Sequence, residues 1–407
     1  MNLLIVPKPM FDKEMAVKSY CFRFQKPSLG INVHHGSVEI SPCLEVLQKV
    51  GLEAFTTGLP IFVPINQFTL FMDIDRQFCQ QTEDVILLVD ETMAPNEATV
   101  ERITFLKDHG YRFAAEKINN YNAMHPIIEL CNFLFINCKT PRFKDIFGIL
   151  KHRYPHLSFI ASDVDHTTIF DDIKNEKFDL FEGRFYSVPI TRGVSAISPV
   201  KVNYINLLNL VKTDDFDLEE VSRIVGRDTA LSISLLKLIN SPYMSLSREI
   251  KTIKHAVAML GQREVRKWVT TAVASMLCAD KPDEITKLSL IRAKFAENLA
   301  TDFEMAMQSQ GLFLMGLFSI LDVVLGRPMS DALKLIQVSD EIQQALVEGT
   351  GDFAKVLELI YTYESANWTE VSRLMILNNI KAHDVYEAYI EAILWYSSVV
   401  YSTLSLE

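Results

Sequence analysis

Glycine and basic residues are scarce in this sequence, and each shortage excludes a class of protein. Only 15 of the 407 residues are glycine, and neither glycine-rich nucleotide-binding turn, G-x-G-x-x-G or G-x-x-x-x-G-K-S/T, follows an apolar run. The nucleotide-binding folds built on those turns therefore lose support. Lysine and arginine number 40 against 51 acidic residues, which gives a formal net charge of -11. We expect no nucleic-acid partner, because domains that bind polyanions normally present a basic face.

Cysteine and long apolar runs are scarce as well. The six cysteines include no C-x-x-C pair, and the closest two, Cys131 and Cys138, bracket an apolar run. Buried thiols are therefore favoured over a disulfide or a zinc site. No segment approaches the roughly 20 apolar residues that span a bilayer, and Pro7 and Pro9 break the apolar N-terminal run too early for a signal peptide. These absences predict a cytoplasmic protein with no membrane span.

The first part of the chain alternates short, β-rich apolar runs with helical stretches. The predicted strands are NLLIV, SYCFRF, IFVPI, VILLVD, YRFAAE, FLFINC, LSFIAS and GRFYSVP. Runs that are apolar on both faces indicate parallel strands covered by helices. This α/β pattern fits an open doubly wound sheet and a closed barrel.

The second part of the chain is predicted to be entirely helical. From Val202 onward, apolar residues recur at spacings of three and four, the period of amphipathic helices. Asp217 and Asp228 lie where helix N-caps are expected, and glycines such as Gly261 lie where C-caps are expected.

The change of periodicity predicts a domain boundary. Prolines and a glycine, which end regular structure, are concentrated in the stretch SVPITRGVSAISPV. We therefore predict an α/β domain at 1–190, a linker at 191–201 and an all-α domain at 202–407.

The order of these pieces resembles a bacterial signalling architecture that joins an N-terminal EAL domain to a C-terminal HDOD domain. MFDKEMAVKSYCFRF resembles the opening hairpin of the EAL family, VILLVDETMAPNE and LKDHGYRFAAEKI its central strands, and KFDLFEGRFYSVP its closing strand. LLKLINSPYMSLSREIKTIKHAVAMLGQREVRKWV resembles the HDOD signature, as do FLMGLFSILDVVLGRPM and YESANW.

The resemblance implies a modified (βα) TIM-like barrel followed by an HD-related helical domain. EAL family members hydrolyse cyclic di-GMP with two divalent cations, held at the C-terminal ends of the strands where the βα loops converge. Such cleavage requires several carboxylates, an asparagine and a lysine, because the cations need anionic oxygen ligands.

Carried over residue by residue, the family's site is mostly changed. The E-A-L glutamate falls on Cys21, a second ligand glutamate on Leu88 and the catalytic lysine on Phe135. The positions of this vestigial pocket are Cys21, Asn66, Leu88, Glu116, Lys117, Asn137, Asp165 and Glu182. Only Asn66 keeps the family's residue.

Charge counting argues against a metal pair in this pocket. Two divalent ions bring about four positive charges, which carboxylates must offset. Cys21 and Leu88 remove two carboxylates, and Lys117 adds a cation that would be repelled from a metal about 4 Å away by several kcal/mol. We expect Lys117 to pair with Glu116 or Glu182 instead. No catalytic residue, metal or cofactor is predicted.

The same comparison finds no metal ligands in the helical half. The adjacent His-Asp pair of the HD phosphohydrolases falls on Ser319-Ile320, and an upstream histidine falls on Arg292. His255 and His383 are interpreted as surface or cap histidines.

Two other candidate sites are interpreted as local structure. His34-His35 lacks a partner at ligand spacing and is read as a surface turn. Asp163 and Asp165 are expected to cap a helix that begins near Thr167.

The sequence therefore predicts a non-catalytic signalling protein that acts through protein-protein contacts in a pathway related to cyclic di-GMP. The partners are expected to be other signalling proteins bound by the HDOD domain, with Trp368 and Trp395 as candidate contacts; burial against neighbouring helices is the alternative for both. Three questions stay open: whether the altered pocket hydrolyses cyclic di-GMP, whether it only binds it, and whether the chain forms a homodimer.

Overall fold

The structure is a computed structural model that describes residues 4–25, 50–56, 58–72, 74, 84–193, 196–212, 215–240 and 250–404. The chain forms two compact units. The first comprises Met1–Val188 and Thr362–Arg373, and the second comprises Pro189–Tyr361 and Leu374–Glu407. The predicted boundaries at 1–190, 191–201 and 202–407 assign residues 362–373 to the helical domain, whereas this division groups them with the first unit.

The first unit opens with an antiparallel hairpin of β1 (Ile5–Phe11) and β2 (Val17–Phe24). The prediction ended the first strand before Pro7, but β1 runs through both Pro7 and Pro9. Hydrogen-bonded and non-hydrogen-bonded pairs alternate along antiparallel strands. Counted from the bond between the Gln25 N–H and the Leu4 carbonyl, 2.9 Å, both prolines occupy non-hydrogen-bonded positions, where a missing N–H does not interrupt the hairpin.

Six further strands close the sheet into a barrel in the order β1 to β8. β1 is antiparallel to β2 and β8, and the other neighbouring strands are parallel. The bounds are β3 Ile61–Pro64, β4 Val85–Val89, β5 Arg112–Ala115, β6 Phe133–Asn137, β7 Ser158–Ser162 and β8 Leu180–Glu182. Of the two architectures that the sequence pattern fitted, the closed barrel is therefore the one adopted.

The predicted last strand, GRFYSVP, was wrong, because β8 lies just before it. Gly183 follows β8 with a φ of 154°, and a Cβ at this position would lie 2.1 Å from the Val164 carbonyl oxygen. The close approach to Val164 ends the strand, and Phe185–Ser187 form a 3₁₀ turn.

Helices connect the parallel strands of the barrel. Their bounds are α1 Leu52–Thr56, α2 Gln67–Leu70, α3 Glu97–Asp108, α4 His125–Ile128, α5 Phe143–Arg153 and α6 Thr167–Ile173.

The inside of the barrel is apolar. Side chains from most of the strands form one buried cluster, which consists of Met10, Cys21, Phe62, Ile86, Leu88, Ala114, Phe135 and Ile160. β4, whose five residues are all apolar and buried, has two apolar faces, as the sequence pattern predicted for parallel strands covered by helices.

The remaining elements are helical. The bounds are α7 Pro199–Leu210, α8 Leu218–Val225, α9 Thr229–Ile239, α10 Ile253–Leu277, α11 Asp283–Asn298, α12 Ser309–Phe318, α13 Leu321–Leu325, α14 Met329–Ile336, α15 Asp340–Gln343, a π-helical turn Gln344–Glu348, α16 Asp352–Glu364, α17 Trp368–Leu377 and α18 Ala382–Leu404. Asp217 and Asp228 accept hydrogen bonds from the first-turn N–H groups of Glu219 and Leu231, as predicted for N-caps. Gly261 has a non-helical backbone with a φ of 72° and divides α10 into two helical parts, so a helix ends at this glycine as predicted.

Candidate functional site

Charged side chains gather where the strands of the barrel end. Glu116 follows β5 directly and Glu182 ends β8, while Arg23 lies near the end of β2. In a barrel of parallel strands these ends form the mouth, where the βα loops converge. Lys8 reaches the same region from β1, which lies between β2 and β8.

Five residues form what we call the mouth cluster: Lys8, Arg23, Glu116, Lys117 and Glu182. The Arg23 Nη1 atom lies 2.6 Å from both carboxylate oxygens of Glu116, and its Nη2 atom lies 4.0 Å from Glu182 Oε2. Lys8 Nζ is 3.7 Å from Glu182 Oε1, and Lys117 Nζ is 3.4 Å from Glu116 Oε1. Two buried carboxylates are thus surrounded by three cations.

The electrostatics of the cluster keep Glu182 ionised. Burial on its own would raise the pKa of this carboxyl, but the charges of Lys8 and Arg23 hold the pKa below its ordinary value. The guanidinium of Arg23 is 13% exposed, so its charge is poorly screened by solvent. The carboxylates of the mouth are therefore neutralised from within the protein.

Cys21, Leu88 and Phe135 are buried in the apolar cluster of the barrel. Burial raises the pKa of the Cys21 thiol to about 12, so the thiol stays protonated and is a poor metal ligand. The side chains at these three positions fill the core of the barrel.

Asn66 and Asn137 are engaged in local backbone contacts. Asn66 caps α2: its side-chain oxygen accepts from the Thr69 N–H at 2.9 Å, and the Thr69 hydroxyl accepts from the Asn66 N–H. The Asn137 side-chain oxygen accepts from the Lys139 N–H at 2.7 Å. Both amides order the loops that follow their strands.

Asp165 lies in an ion pair on the rim, and the prediction that it caps a helix was wrong. Lys139 Nζ is 2.6 Å from Asp165 and 3.6 Å from Asp163. Burial alone would raise the pKa of Asp165, but the hydrogen bond and charge of Lys139 lower it overall. The N-cap of α6 is His166, whose side chain makes no capping bond. A lysine from the preceding loop competes for the carboxylates, which sequence spacing did not reveal.

Lys117 occupies an unusual backbone conformation at the rim. Its φ is 52°, and its side chain is 66% exposed while the neighbouring Glu116 is 7% exposed. Of the two predicted partners, Glu116 is the one that Lys117 contacts; Glu182 pairs with Lys8 and Arg23.

The two residues that sequence reasoning missed are Arg23 and Lys8. A signal for Arg23 was available, because alternate residues of a strand share a face, which places Arg23 on the same inward face as Cys21. Lys8 pairs with Cys21 in the β1–β2 register.

The mouth does not fit a pair of divalent cations. Any metal bound by Glu116 would have to displace the Arg23 guanidinium from both carboxylate oxygens. Within the described residues, no three His, Cys, Asp or Glu side chains are grouped so that they could hold a metal ion.

The HD-like positions of the helical unit are filled by a buried arginine. Arg292 Nη1 donates to the Ser319 hydroxyl at 3.1 Å, and the guanidinium lies 4.7 Å from the centre of the Tyr361 ring. Both His255 and His383 are exposed. The arrangement offers no set of imidazole and carboxylate ligands at these positions.

The remaining residues that the sequence singled out are the histidine pair His34-His35 and the tryptophans Trp368 and Trp395. His34-His35 lies outside the described residues. Trp368 and Trp395 are half-buried, edge-on to Tyr363 and Phe313 at ring-centre distances of 5.4 and 6.0 Å. Among the described helices, none has both the length and the apolar character needed to cross a membrane.

Comparison with known proteins identifies a domain in the helical part of the chain. Residues 197–349 match the model of the HDOD domain. The uncharacterized protein YuxH of Bacillus subtilis is 26% identical over 97% of this chain and 98% of its own. Cyclic di-GMP phosphodiesterase CdgJ of Vibrio cholerae is 28% identical over 77% of this chain and 73% of its own.

Among solved structures, the YkuI protein of Bacillus subtilis, which has an EAL domain and was solved with cyclic di-GMP and calcium, is 13% identical. The match covers 65% of this chain and 74% of that chain, with a TM-score of 0.34.

The HDOD match begins where the helical part of the chain begins, and a closed eight-stranded barrel with an antiparallel first strand precedes it. Residues 197–349 of the chain therefore form an HDOD domain, and a closed eight-stranded barrel precedes it.

Proposed function

We propose that this protein is a non-catalytic regulator in a cyclic di-GMP-related pathway and that its output is protein-protein contact. The observation that carries the proposal is the 2.6 Å contact between Arg23 and both carboxylate oxygens of Glu116. A two-metal phosphodiesterase needs those oxygens for its cations. Here a permanent cation of the protein uses them.

The link to cyclic di-GMP comes from a relative. CdgJ of Vibrio cholerae, 28% identical over 77% of this chain, is named a cyclic di-GMP phosphodiesterase. In this chain the apolar Cys21 and Leu88 stand at aligned ligand positions and are buried in the barrel core. We infer that the EAL domain is degenerate and that the fold was kept while the hydrolytic site was lost.

The partner surface is assigned to the HDOD domain, which has the most distinctive sequence. We propose other signalling proteins of the cytoplasm as partners, and a homodimer as a further assembly to be tested. Full-length protein used as bait, compared with variants in which exposed HDOD residues are changed, would identify the surface.

We expect that the protein does not hydrolyse cyclic di-GMP. Full-length protein incubated with cyclic di-GMP and either magnesium or manganese should give no linear dinucleotide above the level of a protein-free control, because Arg23 occupies the carboxylate that a cation requires. Product formation can be followed by chromatography of the nucleotides. Turnover that disappears in a Glu116→Ala variant would show that the altered pocket is an active phosphodiesterase.

A second candidate function is favoured by the charge of the rim. Lys117 and Lys139 are 66% and 59% exposed, and Lys8 and Arg23 lie nearby in the mouth. Exposed cations around a mouth attract anions, so the barrel is also a candidate receptor for the dinucleotide.

Calorimetry distinguishes a cyclic di-GMP receptor from a regulator that binds only other proteins. If the protein is a regulator that binds only other proteins, we expect no heat of binding when cyclic di-GMP is titrated into it, with or without divalent metal. Saturable binding that is weakened by Lys117→Ala but not by Lys355→Ala would support the receptor instead. Lys355 is the control because it pairs with Asp352 on an exposed helix surface.

A further inference from the structure

Among the strands that the structure describes, none pairs with the first half of β1 on the side away from β2. β8 pairs with β1 only at Met10 and Phe11, so the first half of β1 extends beyond β8. Because the Leu4–Gln25 pair is hydrogen-bonded, alternation turns the backbone groups of Ile5 away from β2. Unpaired strand edges are unfavourable when buried, since each N–H and C=O needs a partner.

Two of the three residues that face this edge lack an N–H group. Pro7 and Pro9 share the orientation of Ile5, being two and four residues further along the strand. Proline is the residue that sheets tolerate on an edge, because it has no donor to leave unpaired. Ile5 therefore presents the N–H that this edge must satisfy, and Ile5 is 0% exposed.

The hydroxyl of Tyr363, more than three hundred residues later in the chain, makes the hydrogen bonds that the Ile5 backbone requires. The Tyr363 hydroxyl accepts from the Ile5 N–H at 3.1 Å and donates to the Ile5 carbonyl at 2.9 Å. Its ring is fully buried, and Trp368 packs edge-on against it at 5.4 Å. One hydroxyl thus reproduces the donor and acceptor pair that a neighbouring strand would supply.

A second contact fixes the same segment beside the hairpin. Gln25, immediately after β2, donates from its side-chain amide to the Ser372 hydroxyl at 3.1 Å. That hydroxyl in turn donates to the Trp368 carbonyl at 2.8 Å. The segment is therefore bound at two points, one in β1 and one directly after β2.

We propose that the free edge of β1 is an intramolecular binding surface whose partner is the segment 362–373, and that the barrel is complete only with this segment. The segment lies outside residues 197–349, which match the HDOD model, although its YESANW sequence resembled HDOD proteins. Its Tyr363 acts as a substitute for a strand, and the barrel is a discontinuous domain.

Tyr363→Phe in the full-length protein tests this proposal, because phenylalanine keeps the buried ring and removes only the hydroxyl. The Ile5 N–H and C=O would lose their partner, and an unsatisfied buried polar group is costly. Hydrogen exchange of the amides of β1 should therefore accelerate by roughly tenfold or more, while exchange in β4 to β6 changes less. Mass spectrometry of peptides from β1 and β5 provides the readout.

Tyr361→Phe is the matched control. Tyr361 lies two residues earlier in α16, and its hydroxyl donates to the Ser319 carbonyl at 3.3 Å within the second unit. Exchange of β1 should stay within twofold of wild type in this variant. The proposal is overturned if β1 exchange is unchanged in Tyr363→Phe, or if Tyr361→Phe accelerates it equally.

Discussion

Arg23→Met should lower the free energy of unfolding of the barrel by about 3–5 kcal/mol, which is the usual cost of removing one partner from a buried ion pair. Methionine replaces most of the apolar volume of the side chain, but the carboxylate of Glu116 would lose its 2.6 Å partner. Glu182 would lose one of its two cations. Denaturant unfolding of the full-length protein, with exchange of barrel amides as a second readout, measures the loss.

The control for this substitution is Arg223→Met. Arg223 also pairs with a glutamate, Glu220 at 3.3 Å, but both side chains are about half exposed. Exposed pairs contribute little, so stability should change by about 0.5 kcal/mol or less. Equal effects of the two substitutions would show that the mouth cluster is solvated and that its charges do not matter to the fold.

The pH dependence of the stability of the wild type and of Arg23→Met gives an independent check. Although burial on its own would raise it, the pKa of Glu182 is lowered by Lys8 and Arg23 in the folded protein. A group with a lowered folded pKa stabilises the protein above its unfolded pKa, near 4.5, and loses that contribution as the pH falls through the folded value. Wild type should therefore lose stability below about pH 4.5.

Arg23→Met should respond in the opposite sense relative to wild type. Without the arginine, only Lys8 still pairs with Glu182, so the pKa of Glu182 rises and protonation removes a less well compensated negative charge. The stability difference between the two proteins is thus expected to be largest near pH 7 and to shrink towards pH 4. A difference that stays constant across this range would contradict the assignment of Arg23 as the counter-ion.

Gly316→Ala is expected to lower the free energy of unfolding of the helical unit by about 3 kcal/mol, the upper end of the usual cost of overpacking a core. A Cβ at Gly316 would lie 2.4 Å from the Arg292 carbonyl oxygen and 2.7 Å from the Ala293 Cα. Both are backbone atoms of α11, so no flexible side chain can move aside. α12 would have to shift away from α11, with loss of packing along the contact.

Gly148→Ala is the matched control, because it is the same change inside a helix with different surroundings. A Cβ at Gly148 meets nothing within 4 Å, and alanine is favoured over glycine in helices by roughly 0.5–1 kcal/mol. We expect this variant to be slightly more stable than wild type. Thermal unfolding of both variants gives the comparison, and similar transition temperatures for the two would show that α11 and α12 are not in close contact at Gly316.

The shift of α12 would also reach the buried arginine of the helical unit. Ser319, which accepts from Arg292 at 3.1 Å, follows α12 directly. Gly316→Ala is thus expected to weaken this hydrogen bond and to change the environment of the Tyr361 ring under the guanidinium. Near-ultraviolet circular dichroism would detect that change in the aromatic environment.

Local features were predictable from the sequence because they depend on neighbouring residues. The helix caps at Asp217 and Asp228 and the burial of both faces of β4 follow from capping side chains and from apolar runs. Each requires only a few consecutive residues, so the pattern is visible without the fold.

Features that depend on distant pairs were not predictable in the same way. Arg23 and Glu116 are 93 positions apart, and nothing in the local sequence of either selects the other. The last strand was misplaced because the contact that ends it, Gly183 against Val164, forms only when the barrel closes. Lys139 captures Asp165 for the same reason.

By itself, the sequence determined that this chain has a strand-rich part followed by a helical part. The tertiary structure decided which charges meet in the mouth of the barrel and which tyrosine completes its first strand, a contact between positions 358 residues apart. Periodicity specifies which face of an element is buried. Only chain closure brings two such faces, and the few polar groups on them, within hydrogen-bond distance.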